Sequence, residues 1–99
     1  MVKHAVQNYS KWKQIFDKED TAMKAGGCLR FGLYRDETDA NNLVVFLEFD
    51  SAKNAKTFCE SDRIKNVMQA AGVIGRPEII YLNQLEKKTV LGVAKENAA

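Results

Sequence analysis

Three side chains near the start of the chain, His4, Asn8 and Trp12, fall four residues apart and are of types that could do chemistry. His4 is the single histidine and alternates with Val2 and Val6, so the three share one face of a strand. A partly buried imidazole works near neutral pH as a general acid or base, or orients a ligand. The plainer alternative is a core or interface histidine whose nitrogens are satisfied by neighbours. Tyr9, Trp12 and Phe16 recur at helical spacing. Such a stripe lines an aromatic ligand pocket, or simply turns the helix toward a core.

Other chemistries find little footing. One histidine and two distant cysteines, Cys28 and Cys59, give no structural zinc spacing, and no carboxylate run resembles a calcium loop. No metal site or bound cofactor is therefore expected. The cysteines read as buried, reduced thiols. No Gly-x-Ser-x-Gly elbow, P-loop or dinucleotide fingerprint is present. Gly72-Val73-Ile74-Gly75 fits a Gly-x-x-Gly pattern, but between a helix and a strand it is a poor phosphate clamp. Arg30 and Glu48 project to the same sheet side and are expected to pair, between strands or between subunits. Asp17, Glu19 and Asp20 read as a solvated helix face.

The elements that must carry these residues follow from periodicity. Val2 to Gln7 alternates as a first strand, and Asn8 or Ser10 caps the helix that follows, which is expected to run to Gly26-Gly27. Cys28 to Arg35 is a second strand, with Leu29, Phe31 and Leu33 on one face. A polar loop, residues 36 to 42, leads to a third strand, Leu43 to Phe49. In that strand Leu43, Val45, Leu47 and Phe49 oppose Val44, Phe46 and Glu48, so both faces are largely apolar. Asp50 or Ser51 caps a second helix, which breaks and restarts at Ser61-Asp62 and closes at Gly72. Val73 to Pro77 reads as a loop and Ile79 to Leu85 as the fourth strand. Residues 86–99 form a tail in which Val90 to Val93 is a candidate short edge or partner-exchanged strand, with fraying the alternative.

The order β-α-β-β-α-β predicts a single α+β, ferredoxin-like domain over residues 1–85, a four-stranded antiparallel sheet with two helices on one face and right-handed crossovers. The opposite face would carry Val44, Phe46, Ala5 and Gln7, too much apolar surface for a monomer to expose. A second copy covering it, hence a homodimer, is expected. The 99 residues are 45% hydrophobic and 28% charged with a net charge of +2, too little charge to argue for a nucleic-acid or membrane-surface partner. The RNA-recognition motif has the same element order, but of its exposed stacking aromatics only Phe46 has a counterpart. No segment is apolar enough to span a membrane, and a cytoplasmic location is the expectation.

Val2 to Lys13, with a strand leading into an aromatic-rich helix, resembles the opening of dimeric α+β barrel proteins. Phe49-Asp50-Ser51-Ala52 with Ala55 and Phe58, then Glu60-Ser61-Asp62, Met68 and Ala71-Gly72-Val73, resembles their second helix and its break. The group is similar to the antibiotic-biosynthesis-monooxygenase-like superfamily. The resemblance implies a homodimer with a pocket between sheet and helices in each subunit. It also implies cofactor-independent oxidation or isomerisation of a small apolar or aromatic metabolite, or a non-catalytic ligand-binding or regulatory module. In that scheme His4 moves a proton, Asn8 hydrogen-bonds a carbonyl or enolate oxygen and Trp12 stacks on the ligand, with Tyr9, Phe16, Phe58 and Met68 as walls. The sequence departs from the haem-degrading members, because residues 51–71 contain neither histidine nor tryptophan.

Overall fold

The computed structural model describes residues 1–90. Its elements are β1 (Val2–Val6), α1 (Tyr9–Asp17), α2 (Asp20–Ala25), β2 (Cys28–Arg35), β3 (Asn42–Phe49), α3 (Ala52–Cys59), α4 (Asp62–Ala70) and β4 (Val73–Ile79). The four strands form one antiparallel sheet in the order β2-β3-β1-β4, the ferredoxin-like arrangement expected from the element order.

The register explains the two faces. Val2 lies opposite Val45 and His4 opposite Leu43, while Phe31 and Leu33 face Leu47 and Val45. These side chains form the floor on which the helices rest. Val6, Trp12, Leu43, Val45 and Ala71 make the buried core, with Ile15, Phe16, Leu33 and Leu47 against it. The other face carries the rows Arg30–Glu48, Gly32–Phe46 and Tyr34–Val44–Lys3–Glu78.

Each helical arm is interrupted. The break in the second arm lies where Ser61 suggests it: its hydroxyl accepts the Ile64 amide at 3.2 Å and starts α4. Ser51 caps α3 in the same way, from the Asn54 amide at 3.0 Å. The first arm was expected to be one helix, but it ends at Lys18, whose amide bonds back to Ile15, and restarts through Glu19. Asp20 and Thr21 stand beside that point, but Glu19 occupies the N-cap and makes no cap bond, so the break lacks the capping signal that marks Ser61.

Two further expectations are corrected. The fourth strand is Val73–Ile79, not Ile79–Leu85. Gly72, at φ +82°, turns the chain directly out of α4 and into pairing with β1, so no loop is needed. Pro77 is tolerated because β4 is an edge strand and bulges there. The register with β1 jumps between Lys3 and Ala5, placing Gly75, Arg76 and Pro77 beside His4, with Gly75 at φ +70°. Residues 80–90 have no regular secondary structure and are exposed, although the Ile80 amide donates to the Met1 carbonyl at 2.8 Å. The expected strand at Val90–Val93 lies, from residue 91 onward, outside the described residues.

The second correction concerns Leu29. The β2–β3 register shifts between Cys28 and Arg30. This one-residue bulge removes Leu29 from the face of Phe31 and Leu33 and leaves it 57% exposed.

Candidate functional site

Between the helix-covered sheet face and the two helical arms lies a cavity of about 60 Å³. Val2, His4, Val45 and Leu47 form its floor. Trp12, Ile15, Phe16 and Met23 come from the first arm, and Phe58, Cys59, Ile64, Val67 and Met68 from the second. Five of the seven sequence-selected residues therefore meet there: His4, Trp12, Phe16, Phe58 and Met68.

His4 is the one buried polar side chain among the described residues, 6% exposed. Neither ring nitrogen has a hydrogen-bond partner among those residues. Its only close ring neighbour is Trp12, 5.6 Å away and tilted by 53°. Burial disfavours the charged form and holds the imidazole below its ordinary pKa of 6.5. At neutral pH the ring is thus neutral, with one nitrogen able to donate and the other to accept. Buried polar groups are nearly always paired, so two orphaned nitrogens on an apolar wall require an explanation.

Trp12 is held by stacking on Phe16, 4.8 Å between centroids and 10° from parallel, and Phe16 meets Phe31 edge-on at 5.0 Å. These contacts fix the aromatic wall against the sheet. Tyr9 extends the stack on the other side of Trp12, at 6.2 Å, with the Arg35 guanidinium 4.3 Å above its ring. It belongs to the core periphery rather than the cavity. Asn8 is exposed, and its side-chain oxygen accepts the Lys11 amide at 3.0 Å as the cap of α1. The structure thus places Asn8 and Tyr9 outside the cavity group.

One lining residue was missed in the sequence. Glu19, expected on a solvated face, is only 13% exposed at its side chain and lines the cavity. It precedes α2 but does not cap it. Instead its carboxylate reaches to α4, where Arg63 Nη2 donates to Oε1 at 2.7 Å and Nη1 to Oε2 at 3.4 Å. That contact holds the Arg63 guanidinium above its ordinary pKa, and the guanidinium also lies 5.8 Å from the Phe58 ring centre. A signal existed: Ile15, Glu19 and Met23 are four residues apart, which puts Glu19 on the apolar side of that arm.

The two cysteines are free thiols. Burial pushes both the Cys59 and the Cys28 thiol up, so neither is a ready nucleophile although Cys59 lines the cavity. Among the described residues no group of His, Cys, Asp and Glu is placed to hold a metal ion, and no helix is long and apolar enough to cross a membrane. On the opposite sheet face Arg30 and Glu48 pair between strands, as their shared row requires. The bond raises the Arg30 pKa and lowers that of Glu48.

No family model and no curated protein matches the chain. Solved structures do. A provisionally named antibiotic biosynthesis monooxygenase from Caulobacter crescentus is 25% identical with a TM-score of 0.68, over 86% of this chain and 86% of that one. Two others of the same provisional name, from Bordetella bronchiseptica and Nitrosomonas europaea, are each 13% identical over 86% of this chain. Their TM-scores are 0.69 and 0.64, and the matches cover 93% and 95% of those chains. The shared fold is consistent with the antibiotic-biosynthesis-monooxygenase-like superfamily of ferredoxin-like proteins.

Proposed function

We propose that this monooxygenase-like fold binds a small, largely apolar ring compound carrying a hydroxyl group, in the cavity between sheet and helices. The observation that carries the reading is His4, buried with both nitrogens unsatisfied among the described residues on the wall of a mostly apolar cavity. A neutral imidazole complements a phenolic or enolic hydroxyl, which donates to its free nitrogen. The aromatic wall of Trp12 and Phe16 suits the ring.

The same contact supplies a first chemical step. His4 removes the hydroxyl proton as general base, and the resulting electron-rich anion is the species that dioxygen oxidises or that tautomerises. A non-catalytic ligand-binding or regulatory role is the second reading, and the position of Asn8 favours it. Asn8 is exposed and does not line the cavity, so its amide nitrogen is not placed there to donate to an enolate oxygen.

The assembly proposed is a homodimer through the uncovered sheet face. Phe46, Tyr34 and Ile74 are 43%, 58% and 51% exposed there, and the Tyr34 and Phe46 rings meet edge-on at 5.8 Å. A twin sheet would bury this patch. The chemistry of the cavity calls for no nucleic-acid partner, and a cytoplasmic location remains the expectation.

The test uses 2-naphthol in calorimetry and a naphthohydroquinone in an oxygen electrode. Naphthol binding that is lost in His4→Leu supports the site, and equal binding by both proteins overturns it. Oxygen uptake that requires His4 assigns turnover, whereas binding without uptake assigns the carrier role.

A further inference from the structure

A cavity of about 60 Å³ is well below the ~150 Å³ that accommodates a benzene ring. A ring ligand therefore needs more room than the resting cavity offers, and a wall must shift to provide it. The floor is a continuous sheet, held by the β1–β3 and β2–β3 ladders. The roof is different, because each arm is broken in two, between α1 and α2 and again between α3 and α4.

A single ion pair crosses the roof among the described residues, and it joins those two breaks. Glu19 stands between α1 and α2, and Arg63 lies in the first turn of α4. Glu19 spends its carboxylate on this contact rather than on capping its own helix. Both of its oxygens meet both terminal nitrogens of the guanidinium, the two-point match that a planar fork makes with a carboxylate. Phe58, a cavity wall, lies beneath the same guanidinium. Glu19 is thus a cavity residue bonded to a half-exposed partner.

We infer that Glu19 and Arg63 gate the His4 cavity, and that the preferred ligand opens the gate with a carboxylate of its own, which replaces Glu19 on the Arg63 guanidinium. This rests on the cavity being a ligand site. The exchange leaves Arg63 with the same two-point bond, and Glu19, 13% exposed at its side chain, must swing outward to water so that no charge is stranded. A neutral ligand must part the pair without replacing it. The substrate class is therefore an apolar ring acid that also carries a hydroxyl, with the hydroxyl at His4, the ring along Trp12 and Phe16 and the anion at Arg63.

The experiment compares 2-naphthoate with 2-naphthol by calorimetry on the full chain and on Glu19→Gln, Arg63→Gln, Arg63→Lys and His4→Leu. Arg63→Gln is expected to weaken naphthoate about tenfold or more, while naphthol, which no longer has to part the pair, binds as well as to the wild type or better. Glu19→Gln, which removes the competing carboxylate, should tighten naphthoate. Arg63→Lys, which keeps the charge but not the fork, should fall between wild type and Arg63→Gln. Equal changes for both ligands would show a merely structural pair and overturn the gate. If naphthol binds and depends on His4 while naphthoate ignores Arg63, the gate alone is overturned. If neither compound binds the wild type, the cavity reading and the gate fall together.

Discussion

The two faces of the sheet treat their polar groups in opposite ways. On the helix-covered face a histidine is sealed away with neither nitrogen bonded among the described residues, beside Val2, Trp12 and Val45. On the uncovered face two full charges, Arg30 and Glu48, stand in water and are bonded to each other. Stability alone would favour the reverse, since an orphaned buried group costs far more than an exposed pair returns. The covered face thus carries a cost that folding does not need, and the uncovered face carries a pairing that folding hardly uses. On the proposed function, the first marks a place for a ligand. The second aligns strands at the edge of an apolar surface.

The largest effect expected comes from the floor of the covered face. Leu43 is fully buried, and Leu43→Ala should lower unfolding stability by ~2–5 kcal/mol in urea titrations. Val44→Ala, one residue along on the other face, should change a dilute protomer far less. Comparable losses would show that the uncovered face is not free in the protomer.

Phe46→Asp should next abolish self-association, moving the sedimenting species from twice the chain mass to the chain mass with the far-ultraviolet spectrum unchanged. A wild type that sediments as a single chain at micromolar concentration would remove the dimer. His4→Leu should raise stability by ~1 kcal/mol or more, because it deletes two unsatisfied polar atoms from an apolar wall. It should also flatten the pH profile. His4 has its folded pKa below 6.5, so the unfolded chain binds the proton first as pH falls. Wild-type stability is therefore full above pH 6.5 and declines as pH drops through the lower, folded pKa, and His4→Leu lacks that part of the decline. A profile unchanged by the substitution would mean that the ring is not buried neutral.

The smallest effect belongs to the exposed pair. Arg30→Gln should leave the thermal midpoint unchanged within error while the Glu48 carboxyl, followed by NMR, titrates at higher pH than in the wild type. A clear loss of stability would mean that the pair is desolvated in the assembled protein.

Much of the sheet was legible because burial on one face writes a two-residue rhythm into the chain. Val2, His4 and Val6, and Leu43, Val45 and Leu47, all lie on the side their alternation predicted. The break at Ser61 was legible because a hydroxyl caps it. What escaped were departures from regular geometry. Gly75 and Pro77 spell a loop locally, but an edge strand tolerates both, so tertiary pairing overrode the local signal. The Leu29 bulge adds one residue with no mark in the sequence. In the site, the apolar lining and His4 could be read from periodicity. Glu19 could not be read as a cavity residue from charge alone, because its burial depends on Arg63, forty-four positions away. Asn8 was read both as a cap and as a ligand contact, and the structure uses its oxygen for the cap.

The kinks at either rim of the sheet bear on how copies of this protein could grow into larger aggregates. Open strands usually recruit further strands side by side, as in fibrils. Here one rim carries the Leu29 irregularity and the other the Gly75–Pro77 distortion with its missing amide donor. The β4 rim offers no straight row of free backbone groups, and the β2 rim offers one only from Arg30 to Arg35. Lateral polymerisation is therefore discouraged at both ends of the layer, and face-to-face association, which closes after two copies, is left as the open route.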